Sequence, residues 1–238
     1  MTSFPRHPAP SAVLLDMDGT LVDTERLWDI AVYELAEHMG KPLDERTRER
    51  TLGNSLDGFF RILSEYTGRT IEGAELDRLA HRLNSRVTEL MRSDMRWRPG
   101  AEELLEDIAA TGTPVALVTN TTADVAVVPL EFIGRARFDA VVTGCMVARA
   151  KPAPDPYLLA CRQLGVEPGS AVAVEDSVAG ATAAVAAGCR VLYVPSTEGQ
   201  PDVAGAHAHH TLAGVDVAGL AALTCGTPRG AAVGQSGV

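Results

Sequence analysis

Five short runs of apolar, largely β-branched residues, separated by helical stretches, constrain this chain more than any other feature. The runs fall at residues 12–15, 115–118, 140–143, 171–174 and 190–194, with helical spacing over 101–110, 123–132, 156–164 and 178–187. A strand apolar on both faces must be covered on both faces, and helical crossovers join such strands in parallel. The pattern predicts an α/β fold built on a doubly wound parallel sheet.

The first run is not followed by its crossover helix. Residues 24–97 intervene, and they hold 26 of the 52 charged side chains of the 238-residue chain. Within them Leu27, Ala31, Val32, Leu35 and Met39 recur at helical spacing, as do Leu76, Leu79, Leu83, Val87 and Leu90. Leu56, Phe59, Phe60 and Leu63 mark a shorter helix, and no strand pattern occurs. The expected organisation is a small α-helical insert at 24–97, a core at 11–23 and 98–222, and flexible ends at 1–10 and 224–238. An insert leaving the first strand sits at the C-terminal edge of the sheet, where open α/β sheets bind ligands. It reads as a lid hinged at residues 23–24 and 93–100.

Composition narrows the partners. With 31 acidic against 21 basic residues the net charge is −10, so long-range fields repel nucleic acid and anionic membranes. No run approaches the roughly 18 consecutive apolar residues of a membrane span. The first ten residues carry three prolines and no apolar stretch of the signal-peptide type, which makes a cytoplasmic protein the expectation. Cys145, Cys161, Cys189 and Cys225 form no C-x-x-C pair, as suits free thiols in a reducing compartment. His207, His209 and His210 lie in a Gly/Ala-rich stretch without a fourth ligand and read as a solvated loop.

Four spots with chemical potential each fall just past a predicted strand. Asp16-Met17-Asp18-Gly19-Thr20 puts two carboxylates at i and i+2 beyond a buried strand, which is costly without a cation. Thr119-Asn120 offers a hydroxyl and an amide that either bind an anion or cap the next helix. Lys151-Pro152 supplies one of only two lysines, a compact charge suited to a phosphoryl group. Glu175-Asp176-Ser177 places adjacent acids where a strand gives way to a helix, a site for a hard cation or an N-cap. Taken together they fit Mg²⁺-assisted phosphoryl transfer. The chain has no G-x-x-x-x-G-K-[ST], G-x-G-x-x-G or G-x-S-x-G.

D-M-D-G-T-L-V-D-T (16–24), T-N (119–120), K-P (151–152) and E-D-S-x-x-G (175–180) resemble the four ordered motifs of the haloacid dehalogenase-like superfamily. The helical insert resembles the cap of its β-phosphoglucomutase/phosphoglycolate phosphatase branch. The resemblance covers about residues 11–222 and implies a Rossmann-like core under that cap. It implies Asp16 as nucleophile, Asp18 as general acid and base, and Thr119 and Asn120 as holders of the phosphoryl oxygens. Lys151 would stabilise the transferring charge, and Asp16, the Asp18 carbonyl, Asp176 and Glu175 would hold Mg²⁺. Gly19, and Gly53 and Asn54 from the cap, would complete the substrate and phosphate contacts.

Departures from the family pattern select within it. Asp18 fills a position that haloacid dehalogenases themselves leave without an acid, which favours phosphoryl chemistry. The mutase branch has a His where this chain has Trp28, and a Lys and an Arg where it has Leu52 and Leu56 around Gly53. Its usual Ser is here Asn120, as in phosphatases. The cap's single lysine, Lys41, stands beside Pro42 at a predicted helix end, which argues against an imine-forming phosphonatase. The resulting expectation is a monomeric, Mg²⁺-dependent phosphomonoester phosphatase acting on a small phosphorylated metabolite through an aspartyl-phosphate. A sugar-phosphate mutase and a non-catalytic binding protein of the same fold are the rivals.

Overall fold

The structure, a computed structural model, describes residues 9–197 and 199–224. Its sheet comprises β1 (Ala12–Leu15), β2 (Val115–Val118), β3 (Ala140–Val142), β4 (Ala171–Glu175), β5 (Arg190–Tyr193) and β6 (His207–Ala208). The order is β3-β2-β1-β4-β5-β6, and every pairing is parallel. The doubly wound sheet expected from the apolar runs is therefore the observed fold.

Alternation along the strands divides the core. Val13, Leu15, Leu117, Val172, Val174 and Leu192 point to one face, packed by Leu104 and Ile108 of α5 (Ala101–Thr111) and Leu220 of α9 (Val217–Thr224). Leu14, Ala116, Val118, Ala173 and Val191 point to the other. There they meet Tyr157 and Ala160 of α7 (Asp155–Leu164) and Ala181 and Ala184 of α8 (Val178–Ala186). The register aligns the strands' C-terminal ends, with Leu15 opposite both Leu117 and Val174. The residues just beyond them therefore share one edge, at the point where the strand order reverses.

The insert contains α1 (Glu25–His38), α2 (Glu45–Thr51), α3 (Leu56–Thr67) and α4 (Gly73–Ser93). Leu27, Val32 and Leu35 of α1 pack with Phe59, Phe60 and Leu63 of α3 and Leu79, Leu83, Val87 and Met91 of α4. Val125 and Val128 of α6 (Ala123–Ile133) join this cluster, so the insert rests on the core through α6. Its two connections run side by side. The Asp23 amide donates to the Arg96 carbonyl at 2.8 Å and the Arg98 amide to the Leu21 carbonyl at 2.9 Å, while Arg26 pairs with Asp94 at 2.6 Å.

The structure adds elements to the sequence reading. Helix α2, ERTRERT, has no apolar periodicity; Asp44 caps it by accepting from the Thr47 amide at 2.7 Å. The stretch read as a solvated loop at His207 is in part an edge strand, because the backbone of His207 and Ala208 pairs with Leu192 and Tyr193 although both side chains stay exposed. Thr224, assigned to the flexible C-terminal end, closes α9, and Pro10, assigned to the N-terminal end, is buried. Residues 1–8 and 225–238, including Cys225, lie outside the described residues. No described helix is long and apolar enough to cross a membrane.

Candidate active site

The site is built where β1, β2 and β4 end. Directly after β1 the chain turns back, with the amides of Leu21 and Val22 donating to the Met17 carbonyl at 3.0 and 3.1 Å. This turn holds Asp16 buried against Lys151, whose Nζ donates to Asp16 Oδ1 at 2.6 Å, Glu175 Oε1 at 2.5 Å and the Val118 carbonyl at 2.8 Å. All three ammonium protons are thus directed at named acceptors. The Tyr157 hydroxyl also donates to Glu175 Oε1, and Ser177 Oγ to Oε2 at 3.3 Å. Gly180 is required beside them: a Cβ there would come within 2.1 Å of the Glu175 carboxylate.

Asp18 faces the insert. Its Oδ1 accepts from Thr24 Oγ1 at 2.7 Å and Trp28 Nε1 at 3.2 Å, and its Oδ2 from Thr121 Oγ1 at 2.7 Å and Thr119 Oγ1 at 3.3 Å. Asn120 bridges insert and core. Its Nδ2 donates to the Gly53 carbonyl at 2.9 Å and the Lys151 carbonyl at 3.2 Å, while its Oδ1 accepts from the Lys151 amide at 2.9 Å. Asn54 lines the cleft, but its Nδ2 donates to the Arg50 carbonyl at 2.8 Å and so caps the end of α2. Asp16, Asp18, Gly53, Asn54, Thr119, Asn120, Lys151 and Asp176 all line one cleft open to solvent. A concave site with a few convergent polar groups and apolar walls such as Val32, Phe59 and Leu83 suits a small metabolite.

Gly19 lines a neighbouring cavity with Thr20 and Arg98 and abuts Asp176. Its φ is +77°, and a Cβ there would lie 2.1 Å from Asp176 Oδ2. Gly19→Ala is expected to displace Asp176, lowering kcat/KM about 10²-fold and stability by about 1–3 kcal/mol. Steady-state kinetics and urea unfolding of the variant check both figures.

Electrostatics favour a cation. Oxygens of Asp16, Glu175 and Asp176, all buried, lie within 4.8 Å of one another. Burial, opposed by Lys151 and reinforced by Glu175, pushes the Asp16 carboxyl up to about 8. Burial and then the Asp16 charge hold Asp176 well above the usual carboxylate range. Asp16 and Glu175 outweigh the effect of burial on Lys151 and raise it. Ionising all three clustered acids against one ammonium would leave an anionic excess in a buried site, and hard oxygen donors suit a divalent cation.

Four participants carry no motif signal of their own: Thr121, Tyr157, Glu25 and Arg48. Thr121 could be found only by extending the Thr119-Asn120 pair into the hydroxyl run Thr121-Thr122. Tyr157 reaches Glu175 across 18 positions, and Arg48 reaches Glu25 across 23.

A buried acid paired with lysine at the switch point of a parallel sheet, under a helical insert, defines a Rossmann-like hydrolase of the phosphoryl-transfer type. Residues 13–194 match the family described as haloacid dehalogenase-like hydrolase, and the chain belongs to that family. It is 34% identical over 184 residues to "Phosphorylated carbohydrates phosphatase" of Thermotoga maritima, covering 76% of this chain and 83% of that protein. It is 31% identical over 193 residues to "Hexitol phosphatase B" of Escherichia coli, covering 80% and 86%. Among solved structures, CbbY from Rhodobacter sphaeroides in complex with xylulose-(1,5)bisphosphate superposes with a TM-score of 0.78. That match has 30% identity and covers 89% of this chain and 99% of the other. The chain is therefore an enzyme of this hydrolase family, and the two relatives from Thermotoga maritima and Escherichia coli are named phosphatases.

Proposed function

We propose that the protein is a Mg²⁺-dependent phosphomonoester phosphatase that acts on a small phosphorylated carbohydrate through an aspartyl-phosphate on Asp16. The observation that carries this reading is the buried Asp16–Lys151–Glu175 array beside Asp176, opening into the cleft. One carboxylate oxygen of Asp16 forms a bond to phosphorus as the ester oxygen–phosphorus bond breaks. Asp18 protonates the departing oxygen, and in the second step it takes a proton from the water that attacks phosphorus as the Asp16 oxygen–phosphorus bond breaks, releasing phosphate and restoring the carboxylate. Lys151 holds Asp16 in place and offsets the charge gathered on the phosphoryl oxygens. The Asn120 side chain fixes Gly53 and Lys151, so its backbone amide is the group it offers those oxygens, joined by the Thr119 hydroxyl when that turns from Asp18 Oδ2 toward the phosphate. Asp16, Asp176, Glu175 and the Asp18 carbonyl are the groups that would hold Mg²⁺, and the ion would reduce repulsion between carboxylate and phosphate. One chain supplies every group, so a monomer suffices.

The test is phosphate release from a panel of sugar and polyol phosphates, with Mg²⁺ and with EDTA. Release that EDTA abolishes supports the reading. Isomerised sugar phosphate without free phosphate would make the protein a mutase, and neither product would make it a binding protein.

The acidic cluster also sets a pH dependence. The Asp16 carboxyl stands near 8 in the fold against 3.8 for the free side chain. The folded chain therefore binds the extra proton between those values, and metal-free stability falls as pH climbs from about 4 to about 8. A fixed Mg²⁺ concentration of about 100 times the Kd at pH 8 should return roughly 2.7 kcal/mol there, and less at pH 5, where protons compete for the acids. Thermal melts at pH 5 and pH 8, with and without Mg²⁺, check the sign; a metal-free protein that gains stability toward pH 8 would contradict it.

A further inference from the structure

The cleft has a second polar station on the insert. Arg48 is buried there, and its Nη2 donates to Glu25 Oε2 at 2.9 Å, its Nε to Asp29 Oδ1 at 2.6 Å and its Nη1 to Thr51 Oγ1 at 3.0 Å. Every nitrogen of the guanidinium is thus engaged, and two carboxylates offset its charge. The other lysine or arginine lining the cleft, Lys151, is held by Asp16 and Glu175. Against these two cations the lining presents four carboxylates, those of Asp16, Asp18, Glu25 and Asp176.

That balance separates ligands by charge. Asp16 and Asp176 would hold Mg²⁺ for the phosphate being transferred, but a second phosphate at the insert end would meet Glu25 with no uncommitted cation among the described lining residues. A desolvated like charge of that kind is strongly unfavourable. A hydroxyl is different: it donates to a carboxylate at no charge cost, and only Oε2 of Glu25 receives a hydrogen bond from the described residues. Val32, Phe59 and Leu83 line the same cleft and can cover the carbon face of such a chain.

We infer that Glu25, oriented by Arg48, is the specificity-determining residue for the end of the substrate remote from the reacting phosphate, reading hydroxyl groups and rejecting a second phosphate. The substrate class is then a polyhydroxylated monophosphate. This rests on the phosphatase reading above and narrows it.

The test compares kcat and KM for sorbitol monophosphate, fructose bisphosphate and phenyl phosphate, in saturating Mg²⁺, for the wild type, Glu25→Gln and Glu25→Asp. The wild type should prefer the sorbitol ester to the bisphosphate at least about 10²-fold in kcat/KM. Glu25→Gln should raise KM for the sorbitol ester about tenfold, the value of one hydrogen bond to a charged acceptor. On phenyl phosphate the loss should be several-fold smaller, and on the bisphosphate kcat/KM should rise. Glu25→Asp keeps the charge beside Arg48, so it should still reject the bisphosphate while binding the sorbitol ester more weakly. Turnover of phenyl phosphate by each variant reports that it is folded. Equal losses on all three esters would show that Glu25 acts through Asp18 and overturn the inference, as would wild-type turnover of the bisphosphate at the monophosphate's rate. A wild type that releases phosphate from no ester would remove the phosphatase reading, and this inference with it.

Discussion

Asp16→Asn should lower phosphate release by at least about four orders of magnitude, since an amide cannot replace the attacking carboxylate. The same change should raise the melting temperature of the metal-free protein at pH 8 and above, where the wild-type carboxyl gives up its proton. Asp16 is buried, and burial is the largest influence raising its carboxyl, so its charge is a burden to the fold when no cation is bound. The amide removes that charge at nearly equal volume, and Lys151 keeps Glu175 and the Val118 carbonyl as acceptors. Loss of turnover together with gain of stability is a signature that misfolding cannot produce. Mg²⁺-induced stabilisation should shrink in the variant, because one of its three clustered acids is gone. Retained wild-type activity would refute Asp16 as nucleophile. A melting temperature that falls would show that the Lys151 contact outweighs the cost of burial.

The parts of this molecule legible in its sequence are those whose physics is local. Strands such as Ala12–Leu15 and Val115–Val118 are buried on both faces, so an unbroken apolar run betrays them. Parallel strands joined by helices then force their C-terminal ends to one edge, and Asp16, Thr119 and Glu175 meet there without further information. The parts not legible depend on partners distant in sequence or on backbone pairing alone. Helix α2 is polar throughout, and Arg48 within it is buried only because Glu25 and Asp29 arrive from α1. His207–Ala208 becomes a strand through backbone bonds that its exposed side chains do not announce. The motif places Asn120 at the site but does not announce that its side chain ties Gly53 to Lys151 and so couples insert position to the site. The insert side of the cleft likewise holds two contacts that no motif announces, the Glu25–Arg48 pair and the Trp28 indole N–H bonded to Asp18.

Lys151→Met should be the most destabilising single change in the site. The ammonium is the one cation within reach of Asp16 and Glu175 among the described residues, and both contacts are buried. Removing one member of a buried ion pair leaves its partners uncompensated and typically costs about 3–5 kcal/mol. Here two acids lose their partner at once, and the Val118 carbonyl loses a donor. The deficit should be larger at pH 8 than at pH 5, because Asp16 can take up a proton at the lower pH and shed the charge it can no longer pair. Methionine fills much of the same volume, so the loss measures charge rather than a cavity. Activity should fall about 10²–10³-fold even where the variant is folded, the usual result of removing one electrostatic stabiliser. Adding Glu175→Gln should restore part of the melting temperature, since it removes one of the stranded charges, and a double-mutant cycle would read the coupling. Activity should not return with it, because the amide leaves Asp16 without its ammonium. Recovery of both would mean that Lys151 serves the fold alone and that the charge on the phosphoryl oxygens is met by other groups.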